Sequence, residues 1–265
     1  MKYIHHLLIF GYHQAMSCLF PVIIFLTLAV SKFIPGDFIA RYDFILLVCL
    51  LSQLLFLVTK LETFDEFKVI CLFHVIGLAL ELYKVHMGSW AYPEEAWSKI
   101  AGVPLYSGFM YASVASYMCQ AWRRMDLQLL NWPNTWMVTL VAAATYFNFF
   151  THHYTWDLRW VLKAVILLLF FRTFVAFSIQ RTTYKMPLSL SFVLIGFFIW
   201  VAENIVTFFG AWQYPNQQAG WQLVHVSKIS SWLLLVIVSF LAVALLKHVK
   251  NKELTEMKDK NISFK

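Results

Sequence analysis

Residues 69 to 93 read Val-Ile-Cys-Leu-Phe-His-Val-Ile-Gly-Leu-Ala-Leu-Glu-Leu-Tyr-Lys-Val-His-Met-Gly-Ser-Trp-Ala-Tyr-Pro. An apolar run carries one carboxylate, Glu81, before it closes at Gly88, and Trp90, Tyr92 and Pro93 follow. The same ending recurs at 203 to 215 as Glu-Asn-Ile-Val-Thr-Phe-Phe-Gly-Ala-Trp-Gln-Tyr-Pro. In each copy the acid stands seven residues before the glycine, and a small residue, Trp, one variable residue, Tyr and Pro follow in register. A shorter echo, Ser98-Lys99-Ile100 against Ser227-Lys228-Ile229, lies downstream of each copy.

Crossing roughly 30 Å of hydrocarbon takes about 20 apolar residues. Working outward from the first copy, eight segments approach that requirement: 16–34, 42–59, 67–87, 102–122, 135–151, 159–178, 187–209 and 229–248. The expected fold is all-α, a polytopic transmembrane helix bundle of about eight spans forming a single integral membrane domain over residues 1–265. A lysine-rich cytoplasmic tail is expected over 251–265. The motif copies close the third and seventh spans, four apart, so both emerge on one face of the membrane. That spacing predicts two parallel four-helix repeats, 16–122 and 135–248, related by an axis along the membrane normal. Tyr42-Asp43 and Trp156-Asp157 supply a weaker echo of the same period.

Composition agrees with this reading and narrows the function. Hydrophobic residues make up 60% of the chain and charged residues 13%, with a mean hydropathy of +0.66. Soluble domains carry roughly 25% charged residues. The net charge of +7 would suit nucleic acid, but the basic residues are scattered over loop ends, and six of the 21 lie between Lys247 and Lys265. In a membrane chain they serve headgroup contact and orientation, so the expected partner is the lipid bilayer and no nucleic acid. The tail lysines place both termini on the cytoplasmic side of the membrane and the two motif loops outside. The four cysteines sit in apolar segments without metal-ligand spacing, and no metal or cofactor is expected.

Glu81 and Glu203 lie about 10 Å below the glycines that close their helices. A carboxylate at such depth costs roughly 2.5 to 3.5 kcal/mol on insertion scales, so it needs a partner, a proton or a polar cavity. Both are candidate general acids. His74, Glu81 and Gly88 share one stripe at seven-residue spacing, which offers His74 as a proton partner, and Asn204 neighbours Glu203. Trp90, Tyr92, Trp212 and Tyr214 sit at helix ends, where they either anchor the interface or line the mouth of a pocket for an apolar ligand. Asn148, His152 and His153 form a polar run that lines the same cavity or is satisfied at the interface. Arg172 falls inside the sixth expected span and should pair or snorkel.

With the Glu-x6-Gly-small-Trp-x-Tyr-Pro stretch, Gly102-Val-Pro104 and Asn148-Phe-Phe-Thr-His152-His153 quoted, the whole chain resembles the YoaT-like family of uncharacterised bacterial integral membrane proteins. That resemblance implies a multi-pass cell-membrane protein and brings no activity. More remotely, an acid followed by Gly, Trp, Tyr and then Gly-x-Pro is similar to the repeated pattern of membrane carotenoid hydratases and heterodimer-type lycopene cyclases. This likeness implies a scaffold that holds an elongated isoprenoid and protonates it. The cyclases' Pro-x-Glu-Glu signature is missing, because Leu105, Tyr106 and Ser107 follow Pro104.

Three functional readings stay open at this point. One is binding or modification of an apolar, isoprenoid- or lipid-like substrate by the paired acids. A second is proton-coupled small-molecule transport, and a third is a membrane scaffold in which the acids serve packing.

Overall fold

The computed structural model describes residues 2–34, 39–151, 154, 156–226, 228, 236–237, 239–241 and 243–244. The described residues are mostly helical: α1 (Lys2–Ser17), α2 (Leu19–Val30), α3 (Arg41–Val58), α4 (Phe64–His86), α5 (Tyr106–Arg124), α6 (Thr135–Thr151), α7 (Arg159–Leu169) and α8 (Leu188–Phe208). Short strands are β1 (Lys99–Ile100), β2 (Val103–Pro104), β3 (Gln128–Leu130), β4 (Phe174–Ile179) and β5 (Thr182–Pro187). Among the described residues, α3, α4 and α8 are long and apolar enough to cross a membrane. The α1–α2 pair, which bends by 62°, makes a fourth if counted as one span.

The boundaries have local causes. Pro21 has no N–H to offer the Ser17 carbonyl, and α1 ends at Ser17, with Val22 resuming the ladder on Cys18 at 2.9 Å. The first span, expected at 16–34, is therefore only the second arm of a bent pair. A capping box opens α4: the Thr63 hydroxyl accepts from the Glu66 N–H at 3.2 Å, and the Glu66 carboxylate accepts from the Thr63 N–H at 2.9 Å. The sixth span, expected at 159–178, is helical only to Leu169. Beyond it Phe174–Ile179, rich in Phe, Val and Ile, pairs as a strand. Arg172 accordingly lies in an exposed turn, not mid-helix.

The chain divides into two compact units. The first comprises residues 1–126, 179–181 and 199–226. Its axis is α5, a helix of small buried residues (Gly108, Ala112, Ser113, Ala115, Ser116) against which α1, α2, α3 and α4 pack. Small residues let backbones approach, the usual basis of helix contact where water is absent. The approach is closest at Gly77, where a Cβ would fall 2.4 Å from the Tyr111 ring, and at Gly108, 2.8 Å from His74. Phe20 meets Phe56 and Phe109 edge-on, and Tyr42, Tyr92 and Tyr106 form a second aromatic cluster. The outer face of α3 is apolar, with Leu54 58% and Val58 72% exposed, a composition compatible with a lipid-facing surface.

The second unit comprises residues 127–178, 182–198 and 227–265. Its sheet runs β3-β4-β5, with Leu129 opposite Val175 in the antiparallel β3–β4 pair. The Asn131 amide donates to the Arg172 carbonyl at 3.2 Å, and Thr173 donates back to the Asn131 carbonyl at 3.1 Å. Phe170 packs against Trp132 and Phe192.

Candidate functional site

Both motif copies fold to the same local geometry. In the first, the Gly88 N–H bonds the Val85 carbonyl and the Ser89 N–H reaches back to Lys84, each at 3.0 Å. In the second, Gly210 bonds Thr207 at 2.9 Å and Ala211 reaches back to Val206 at 3.0 Å. Gly88 and Gly210 take φ of +67° and +71°. This helix ending needs a left-handed residue after the last turn, which is why each copy has its glycine there. The two chains leaving these caps then meet. Ala91 N–H bonds the Gln213 carbonyl at 3.0 Å and Gln213 N–H bonds the Ala91 carbonyl at 2.9 Å. Ala91 and Gln213 are equivalent positions of the two copies, so the motif pairs with itself about a local two-fold axis.

The acids lie beneath that bridge, Glu81 5% and Glu203 2% exposed. Glu81 Oε2 accepts from the Trp90 indole at 2.7 Å and the Tyr92 hydroxyl at 2.8 Å, while Oε1 accepts from the Tyr111 hydroxyl at 2.7 Å. Glu203 Oε1 accepts from Tyr214, the counterpart of Tyr92. The two copies interlock, because the Trp90 ring on Glu81 meets edge-on, at 6.0 Å, the Tyr214 ring on Glu203. The two carboxyls are within reach of each other's charge. Burial and the neighbouring Glu81 carboxylate push the Tyr92 phenol well above its ordinary range. Burial and Glu203 do the same to Tyr214, with the Trp212 indole opposing. Both phenols therefore remain donors.

Other elements hold the centre together. Arg41, at the start of α3, donates to Glu94 Oε1 at 2.5 Å on the first motif's loop. The same guanidinium donates to the Phe209 carbonyl and, at 3.3 Å, to the Gly210 carbonyl at the end of α8. One side chain thus ties copy one to copy two and places a cation at a helix C-terminus. Tyr106 donates to the Ala211 carbonyl at 2.6 Å. Asp43 accepts from the Trp97 and Ser98 N–H groups, both at 2.9 Å, and fixes the loop that follows the first copy.

Of the residues expected from sequence, Glu81, Glu203, Trp90, Tyr92, Trp212 and Tyr214 share the first unit and gather at one place. His74 lies on the same face of α4, its ring 4.4 Å from Phe109, but its Nδ1 is buried without a hydrogen-bond partner and it makes no bond to Glu81. Asn204 is engaged with backbone: its Oδ1 accepts from the Val224 N–H at 2.9 Å and its amide donates to Trp200 at 2.8 Å. Asn148 belongs to the second unit, where its amide donates to the Trp156 carbonyl at 3.0 Å. His152 and His153 lie outside the described residues. Sequence reasoning missed Tyr111 and Arg41. Tyr111 carries no motif signal, whereas Arg41 directly precedes the Tyr42-Asp43 pair that echoes the repeat.

Chemically, Glu81 is a carboxyl that accepts from three neutral donors on its two oxygens. It shares a water-poor cluster with a second carboxyl, where two negative charges repel.

Residues 6–240 match a family model described as protein of unknown function (DUF817). The chain is also 60% identical over 256 residues to the uncharacterized protein YoaT of Bacillus subtilis (strain 168), an alignment covering 97% of each chain. No solved structure matches.

Proposed function

The chain belongs to the DUF817 family of proteins of unknown function, and we propose that it is a multi-pass membrane protein whose paired carboxylates bind, and donate a proton to, an apolar isoprenoid- or lipid-like substrate. The observation that carries this reading is the reciprocal Ala91–Gln213 pairing, which supports one shared centre in place of two separate packing acids. Each intramembrane acid is costly, and two in one cluster repel, so a proton held by one of them relieves the cost and is available as an acid. Trp90, Tyr92, Trp212 and Tyr214 supply flat apolar surface beside it. In this reading about eight spans form the two parallel halves 16–122 and 135–248 of a single domain over 1–265. Both termini, with the tail 251–265, face the cytoplasm of a bacterial cell, and the partners are the lipid bilayer and the apolar ligand.

The three hydrogen bonds that already engage Glu81 favour a second reading, proton-coupled transport, in which the pair exchanges a proton without touching the cargo. Mass spectrometry of solvent extracts from protein purified in mild detergent separates the two. A stoichiometric apolar compound bound by the native chain and altered in yield or chemical form in Glu203→Gln supports the substrate reading. Only bulk phospholipid in both samples overturns it. A Glu81→Gln, Glu203→Gln pair that changes stability alone would leave the acids with a packing role.

A further inference from the structure

We propose that Glu62, with Gln53 and Ser116, forms a proton-binding site at the end of α4 opposite the paired-carboxylate centre. Glu62 stands in the turn between α3 and α4 and is 2% exposed, while Gln53 of α3 and Ser116 of α5 are 6% and 1% exposed. Its carboxyl accepts from the Ser116 hydroxyl on one oxygen and from the Gln53 amide, at 2.5 Å, on the other. Both donors are neutral. The charged groups facing it are Glu66 from α4 and Arg123 from α5. Arg123 is committed elsewhere, lying 3.3 Å from Glu66 Oε2 and donating to the Leu61 carbonyl and to Gln120. Two buried carboxyls thus share one guanidinium, and the ion pair goes to Glu66.

A second, independent observation points to the missing species. The Oε1 of Gln53 is buried without a hydrogen-bond partner. A proton on Glu62 supplies the missing positive charge, and Gln53 Oε1, engaged by no other donor, is the acceptor for it once the amide turns. The Gln53 amide suits either state by a half-turn, presenting Nε2 to the carboxylate and Oε1 to the acid. Leaving Glu62 ionised without a cation is costly through desolvation, and holding a proton avoids that cost. In agreement, burial outweighs the bonds from Ser116 and Gln53 and pushes the Glu62 carboxyl above the ordinary carboxylate range.

The sign of the pH effect follows. A carboxyl raised in the folded state contributes stability that is fully present below its unfolded value and is lost as pH rises through its folded value. The test is a pH titration of the full chain in lipid nanodiscs, read by infrared absorption of protonated carboxyls in D2O and, in parallel, by thermal unfolding. The native chain is expected to keep a protonated-carboxyl band above the ordinary glutamate range. In a Glu81→Gln, Glu203→Gln background, which removes the proton proposed for the paired centre, the band is lost on adding Glu62→Gln, and its midpoint moves to lower pH on adding Glu66→Gln, which releases Arg123 to Glu62. Unfolding temperature falls across the band's midpoint in the native chain and stays flat there in Glu62→Gln. Should Glu62→Gln fail to fold, Ser116→Ala provides the check: losing a bond to the ionised form moves the midpoint to higher pH. Absence of the band, its survival when Glu62→Gln is added to the Glu81→Gln, Glu203→Gln background, an unmoved midpoint in Ser116→Ala or Glu66→Gln, or a midpoint that follows sodium concentration at fixed pH overturns the proposal. Because this site shares no residue with the Glu81–Glu203 centre, the extraction experiment above can fail while this one succeeds.

Discussion

Each bond to Glu81 has a residue-level consequence. A hydrogen bond to a charged group contributes roughly 1.5 to 3 kcal/mol. Tyr111→Phe is therefore expected to lower stability by about 2 kcal/mol, as measured by denaturant unfolding in detergent, and Tyr92→Phe to act similarly. The phenols of Tyr92 and Tyr214 are raised by burial and by their carboxylates. An alkaline absorbance titration of Tyr92→Phe or Tyr214→Phe should thus overlay that of the native chain through the ordinary tyrosine range. A missing tyrosinate signal in that range would show that the replaced phenol had been free to ionise. The acid and its Tyr were legible in the sequence because both copies hold them 11 residues apart. Tyr111 was not, because it reaches Glu81 from another helix and only three-dimensional packing brings it there.

At the scale of elements, two small or charged residues set the geometry. Gly77 leaves room for the body of the Tyr111 ring, so Gly77→Ala forces a clash that α4 and α5 can relieve only by parting. Overpacking of this kind costs about 1 to 3 kcal/mol, and the variant should also lose the Tyr111 bond. Thermal unfolding of Gly77→Ala set beside the Gly77→Ala, Tyr111→Phe double variant measures that coupling, the double showing less than the sum of the singles. Arg41→Lys should fail to replace Arg41, since an ammonium cannot span Glu94 and the Phe209 and Gly210 carbonyls together. The expected loss is about 1 to 3 kcal/mol from carbonyls left unpaired, again read by unfolding. Hydropathy located α3, α4 and α8 well because their apolar runs are uninterrupted. It failed at the start of the chain, where Pro21 breaks the run, and past Leu169, where an apolar stretch pairs as a strand. Apolarity marks a segment for burial or lipid without stating which backbone it takes.

For the whole molecule, the proposed orientation is open to direct labelling. In a background with Cys18, Cys49, Cys71 and Cys119 replaced by alanine, a cysteine at the exposed Trp97 position should react with an impermeant maleimide in intact cells. A cysteine replacing Lys265 should react only after lysis. The reverse pattern would invert the topology and set the paired acids against the cytoplasmic face. The reciprocal bond between Ala91 and Gln213 also has a consequence for assembly in time. Its partners are separated by 122 positions, so the loop of the first copy leaves the ribosome long before the strand that completes it exists. At about 5 to 20 residues per second the interval is roughly 6 to 24 s. For most of it Glu81 has its donors from the first copy and from Tyr111, but Arg41 has no α8 terminus to hold. The nascent chain must carry an unfinished centre through the rest of its synthesis, and a stop codon anywhere between the two copies would release a product that can never close it.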